Sequence, residues 1–155
     1  MKDLKRYNNS IKIIFIIFLI IFIYVLLSNL FIITRAKFFY LRSDLTIKSE
    51  YQIIPDKLNQ LQFVRYYFSG PIDVKKFKKD IFQQLEIEKV IYINNICKIV
   101  LSKNSSLIFL NYQDDIKEKI SKATLLTLKS SKLFKDIKAI EFFIFDKIKV
   151  YSFKL

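Results

Sequence analysis

The chain has 155 residues, a formal net charge of +13 at neutral pH and no histidine. Without histidine it cannot by itself form a Ser-His-Asp or Cys-His catalytic centre, a histidine-ligated zinc site or a histidine haem ligand. The single glycine, Gly70, excludes a glycine-rich phosphate loop and a dinucleotide-binding fingerprint, and the lone Cys97 excludes an intrachain disulfide. We therefore predict a protein that is not an enzyme, with no catalytic residue, cofactor or metal ligand.

The first predicted element is an apolar run from Ile13 to Ile33, 21 residues without a charge. As a helix it would be about 31 Å long, close to the hydrocarbon thickness of a bilayer. It is longer than the apolar core of a usual signal peptide, so we predict a retained transmembrane helix over 13–35 behind a short basic tail, 1–12. Basic residues are balanced on its two sides, so the orientation stays open.

Two sets of residues around this helix are candidate site residues. Tyr24 and Ser28 share a helix face and, with Asn29, are predicted to dock another membrane helix. The alternative is that Ser28 bonds its own backbone and Asn29 reaches the membrane surface. The second set is predicted to lie at the membrane interface: Arg35, Lys37, Phe38, Phe39 and Tyr40.

The rest of the chain is predicted to be a polar connector, 36–60, and an α+β domain, 61–155. In chain order the patterns predict a strand over 61–68, a helix over 74–86, one or two strands over 90–101, a strand over 107–112, a helix from Asp114, and strands over 137–145 and 148–153. This β-α-β-β-α-β order predicts a ferredoxin-like sandwich, an antiparallel sheet with two helices on one face.

The charged residues of the domain allow more than one interpretation. Asp114, Asp115 and Glu118 could act as acid/base or metal-binding carboxylates, but their position at a helix start favours stabilisation of the helix dipole. Beyond Arg35, 22 basic and 13 acidic residues leave a net charge of +9. We interpret this charge first as a solvated lysine surface and second as a contact with anionic lipid headgroups or an acidic protein. Nucleic acid is an unlikely partner.

One family resemblance involves the segments FKKDIFQQL, EIEKVIYI and SLIFLNY, within about residues 61–112. A short tail, one span and a β-α-β-β unit resemble the start of bacterial division proteins of the DivIB type, whose first module outside the membrane is a POTRA domain. The resemblance implies a scaffold of division or secretion machinery. The chain departs from that family because only about 40 residues follow, where the family has a longer second domain.

The residue usage also suggests a source. Phe, Tyr, Ile, Lys and Asn, which have AT-rich codons, are abundant, whereas Gly and Pro are scarce. We therefore predict a membrane-anchored structural or assembly subunit that contacts other membrane protein subunits, as in a mitochondrial inner-membrane respiratory or ATP synthase complex. The alternatives are the bacterial envelope scaffold with a POTRA-like docking domain, in the bacterial inner membrane, and a membrane-tethered RNA or ribosome binder.

Overall fold

The computed structural model describes residues 14–24, 33–144 and 148–154. The chain divides into two compact units, one of residues 1–34 with 55–57 and one of residues 35–54 with 58–155. The described helix of the first unit, α1, covers residues 14–24. Its side chains are apolar around the whole helix, and all are between 46% and 72% exposed.

Among the described residues, no helix has both the length and the apolar character that a membrane crossing requires. The predicted transmembrane helix over 13–35 and the predicted single-pass localisation are therefore wrong. The eleven residues of α1 extend about 16 Å, roughly half of a hydrocarbon core. Ile33, the last residue of the apolar run, is already the first residue of a strand.

The second unit is an α+β domain with two sheets. Its elements are β1 Ile33–Leu41, β2 Ile47–Pro55, α2 Gln60–Phe68, α3 Lys79–Gln83, β3 Ile87–Ile93, β4 Ile96–Leu101, α4 Lys103–Asn111, α5 Asp114–Lys129, a 3-10 helix Lys132–Phe134, β5 Ala139–Ile144 and β6 Ile148–Lys154. Strands β1 and β2 form one sheet, and the other has the order β3-β4-β5-β6. The outer pairs are antiparallel, whereas β4 and β5 are parallel and are joined by the crossover that contains α4 and α5.

The α+β class is correct, but the ferredoxin-like sandwich is wrong. The segment predicted as a strand over 61–68 is helix α2, which buries Phe63, Val64, Tyr67 and Phe68. Spacings of one, four and five residues place these side chains on one face of a helix. The helix begins with a capping box, in which the Asn59 side chain accepts from the backbone of Gln62 and the Gln62 side chain accepts from the backbone of Asn59.

Three other segments also differ from prediction. The strand over 107–112 belongs to helix α4, whose N-cap Ser102 accepts from the backbone of Ser105. The connector over 36–60 contains the β1-β2 hairpin. The helix over 74–86 shrinks to α3, because Phe77 forms an antiparallel bridge with Arg42 and so has extended rather than helical backbone pairing. Without strands at 61–68 and 107–112, the β-α-β-β basis of the POTRA resemblance is lost.

The elements governed by local patterns are as predicted. Helix α5 begins at Asp114, and β5 and β6 occupy the two predicted C-terminal strands. The segment 90–101 forms a hairpin that turns at Asn94 and Asn95, both with positive φ. Asparagine tolerates that conformation better than most residues, which explains the turn.

The core lies between the helices and one face of the four-stranded sheet, which we call the inner face. Its centre is aromatic: the rings of Phe109 on α4 and Phe142 on β5 are 4.7 Å apart. A second aromatic group joins the β1-β2 hairpin to α2, where the rings of Tyr40 and Tyr67 stack at 5.1 Å. These contacts place the helices against the inner face.

Candidate functional site

The other face of the four-stranded sheet, which we call the outer face, points away from that core. Side chains of residues paired across neighbouring strands lie on the same side of a sheet. The pairing gives three outer-face rows: Lys89, Val100, Phe143 and Lys149; Ile91, Lys98, Glu141 and Ser152; and Ile93, Ile96, Ala139 and Lys154.

Half of these positions are apolar and form a stripe across β3, β4 and β5. The stripe consists of Ile91, Ile93, Ile96, Val100, Ala139 and Phe143. Within the described part of the chain, none of the six belongs to the hydrophobic core cluster or packs against it. Val100 and Ala139 are buried, Ile91, Ile96 and Phe143 are half-buried, and Ile93 is 56% exposed. The outer face is therefore a second apolar surface, about 10 Å wide across three strands.

An apolar stripe at this position is unusual for a solvated sheet face. The face of a sheet that meets water normally alternates with the core face and is polar. Parallel strands such as β4 and β5 are normally covered on both faces and are apolar on both. Here α4 and α5 cover the inner face, as the Phe109–Phe142 contact shows. The outer face has the composition of a covered surface.

Charged side chains lie within the stripe as well as beside it: Lys98 and Glu141 occupy its middle row on β4 and β5, and Lys89, Lys149 and Lys154 lie on the edge strands. Four lysines and one carboxylate, Glu141, lie on the outer face. Lys149 Nζ lies 3.3 Å from Glu141 Oε1, and Lys98 Nζ lies 5.6 Å from the centre of the Phe143 ring. A complementary surface would therefore be mainly apolar and would place acidic groups opposite Lys98 and beside the edge-strand lysines.

The structure separates the residues that the sequence grouped as candidate sites. Tyr24 is exposed on α1, and Ser28 and Asn29 lie outside the described residues. Phe38 and Tyr40 are fully buried in the domain core.

The remaining three candidates lie on β1. The Arg35 guanidinium is 4.6 Å and Lys37 Nζ is 5.9 Å from the centre of the Tyr51 ring, so these cations share one aromatic neighbour. Phe39 is half-buried, and its backbone N–H donates to Thr127 Oγ1 on α5 at 2.9 Å. This bond ties the hairpin to the helix.

The buried titratable groups have structural partners. The Tyr40 hydroxyl donates to the carbonyl of Tyr67, and the Tyr67 hydroxyl donates to the carbonyl of Phe39, both at 2.9 Å. Burial raises the pKa of both phenols above the ordinary value of 10.0. Burial also raises the pKa of the Cys97 thiol to about 12, so that this thiol is protonated and a weak nucleophile at neutral pH.

The carboxylates at the start of α5 form pairs within their own helix. Asp114 and Asp115 lie in its first turn and contact Lys117 at 3.1 Å and Lys119 at 3.7 Å. This arrangement agrees with the predicted role at a helix start. The described residues contain no group of three or more side chains placed to hold a metal ion.

The apolar stripe of the outer face was not predicted from the sequence, although a signal for it was present. The segments ICKIVL and AIEFFI carry apolar residues at both odd and even positions, which is typical of strands covered on both faces. Comparison with known protein families, curated proteins and solved structures found no match to this chain.

Proposed function

We propose that this chain is a non-enzymatic assembly subunit of a larger protein complex and that its outer face docks an acidic amphipathic helix of a partner protein. The observation that carries the proposal is the apolar stripe of the outer face, which is separate from the core and has lysines within it and beside it. Burial of such a stripe stabilises association, because apolar area is removed from water.

The form of the partner follows from the geometry of the stripe. The stripe lies on the face of the sheet, where side chains rather than free backbone groups are presented. A helix is about 10 Å in diameter and is the element that normally covers parallel strands such as β4 and β5. Acidic residues beside the apolar face of the partner helix would pair with Lys98 and Lys149. Such pairing raises the association rate and disfavours partners without acidic residues there.

Two other features support membership of an assembly. Helix α1 is apolar around its whole circumference, and such helices are normally covered by other structure. The predominance of residues with AT-rich codons favours an organelle-encoded complex, with respiratory and ATP synthase complexes as the first candidates.

The test compares two isoleucine substitutions in the full chain, tagged and expressed in its native cells. Ile93→Glu places a charge on the outer face, and Ile72→Glu places the same charge at a control position that is 68% exposed and lies in the loop after α2. Native-gel separation and mass spectrometry follow mild extraction. We expect the wild type and Ile72→Glu to migrate in one stoichiometric complex and Ile93→Glu to migrate outside it.

A photo-crosslinking amino acid at position 93 then identifies the contact. We expect one partner, crosslinked within an acidic amphipathic helix, and no crosslink to that partner from position 72. Migration of the wild type alone, or retention of Ile93→Glu in the complex, would contradict the proposal.

A further inference from the structure

A second surface, independent of the outer face, lies in the segment from Lys129 to Lys138, which we call the lysine loop. Lysine recurs at every third position, and all four lysines are exposed: Lys129, Lys132, Lys135 and Lys138. The segment contains the end of α5, the 3-10 helix and the approach to β5. Lys132 begins the 3-10 helix and Lys135 directly follows it, so these two lysines are three residues apart, the period of one 3-10 turn.

The backbone of the lysine loop is held in place by the core. Phe134 is buried and packs against Tyr92 with ring centres 5.5 Å apart. The Gln60 side chain donates to the carbonyl of Leu133 at 3.1 Å, and the Tyr92 hydroxyl donates to the carbonyl of Lys135. The backbone at the lysine positions is therefore held before any ligand arrives, so that binding has to order only the side chains.

A cavity of about 590 Å³ opens beside the loop. It is lined by Lys129, Lys132 and Lys135, by Ser130 and Ser131, and by apolar Phe134 and Ile137, with Asp136 as the one carboxylate. This volume is in the range of small-molecule sites.

The polar groups of the cavity favour an anion. Ser131 Oγ accepts from the backbone of Leu133 at 3.2 Å, and within the described part of the chain its hydroxyl hydrogen has no acceptor. Lys129, Lys132 and Lys135 form no ion pair with any described residue. Three ammonium groups therefore outnumber the single carboxylate of Asp136.

We propose that this cavity binds the phosphate group of a small phosphorylated molecule or of a lipid headgroup. Lysine is a common phosphate ligand, and a hydroxyl can donate to a further phosphate oxygen. Ser131 would supply that donor.

The test uses the full chain in a neutral detergent, with inorganic pyrophosphate as the soluble probe. The variant Lys132→Gln/Lys135→Gln removes two charges from the cavity, and Lys48→Gln/Lys103→Gln removes two from exposed positions on β2 and α4. We expect the cavity variant to bind pyrophosphate about tenfold more weakly and the control variant to bind as the wild type does. Amide NMR shifts on titration should centre on Ser130 and Ser131.

Vesicle co-sedimentation is the second arm and distinguishes the source of the phosphate. Vesicles with phosphatidylglycerol are compared with pure phosphatidylcholine vesicles. Any attraction of the apolar run 13–33 to the vesicles is the same for both, so the difference in binding reports the anionic headgroup. If the cavity variant binds the anionic vesicles more weakly than the wild type does, the ligand is a lipid headgroup. If the cavity variant is weaker only in binding pyrophosphate, the ligand is a soluble phosphate. Equal losses of affinity in the cavity and control variants, or no binding of pyrophosphate or anionic vesicles by the wild type, would overturn the proposal.

Discussion

The two faces of the four-stranded sheet carry apolar side chains for different purposes. Phe142 and Phe143 are adjacent on β5 and chemically identical, yet they point to opposite faces. Phe142 is fully buried against Phe109, whereas Phe143 is half-buried beside Lys98. Hydrophobicity alone therefore does not identify a core residue; the contacts of a side chain distinguish a surface that stabilises the fold from one that is available to a partner.

The largest expected difference between the two faces is in the stability of the matched variants Phe142→Ala and Phe143→Ala. Removing a fully buried ring leaves a cavity, so we expect Phe142→Ala to lower the free energy of unfolding by about 3–5 kcal/mol. Phe143→Ala removes fewer contacts, and we expect it to lower the free energy of unfolding by about 1 kcal/mol. Urea denaturation of both variants gives the comparison. Equal costs would mean that the outer face is part of the folding core.

The second test uses pH, because the buried tyrosines belong to the core alone. Tyr40 and Tyr67 have raised pKa values in the folded state, so they hold their protons above pH 10.0 while the unfolded chain releases them. Their contribution to stability is fully present below about pH 10 and falls as the pH rises further, by about 1.4 kcal/mol per pH unit for each tyrosine.

Tyrosine variants isolate this effect from the titration of the lysines. Tyr67→Phe should reduce the alkaline slope of the unfolding free energy, measured by urea denaturation between pH 8 and pH 11. Tyr40→Phe should reduce the slope in the same way, because burial raises the pKa of that phenol as well. A slope that is the same in wild type and Tyr67→Phe would show that the buried phenol is not its source.

The smallest expected effect concerns the ion pair on the outer face. Glu141→Gln removes the carboxylate that contacts Lys149, and pairs near a surface contribute about 0–1 kcal/mol. We expect a change in unfolding free energy below about 0.5 kcal/mol. The same variant makes the outer face more positive, so binding to the acidic partner should be retained or strengthened. Weaker binding would indicate that the partner surface is not acidic.

The success of sequence interpretation varied with the range of the interactions. Helix α5 has acidic residues in its first turn and a long periodic apolar side, and the Asn94-Asn95 turn has residues suited to positive φ. Such signals act within a few residues, so they can be interpreted without the fold. They predicted α5 and the last two strands correctly, whereas they left open whether 90–101 is one strand or the two strands of the observed β3-β4 hairpin.

The aromatic segments were ambiguous for a physical reason. Phenylalanine, tyrosine and valine favour strands. The run from Leu61 to Phe68 nevertheless forms a helix, because the face that carries Phe63 and Tyr67 packs against Phe38 of the β1-β2 hairpin. The capping box of Asn59 and Gln62 was the local signal that could have identified this helix. Packing between distant segments overrode the residue preferences.

The absence of histidine and the single glycine and cysteine already exclude several chemistries, and strong local signals already specify α5 and the last two strands. The parallel pairing of β4 and β5, the cover of one sheet face by helices, and the position of Ile93 and Phe143 outside the core depend on the folded chain. The reason is that strand pairing and burial join residues far apart in the chain, and the pattern of one segment does not specify its partner.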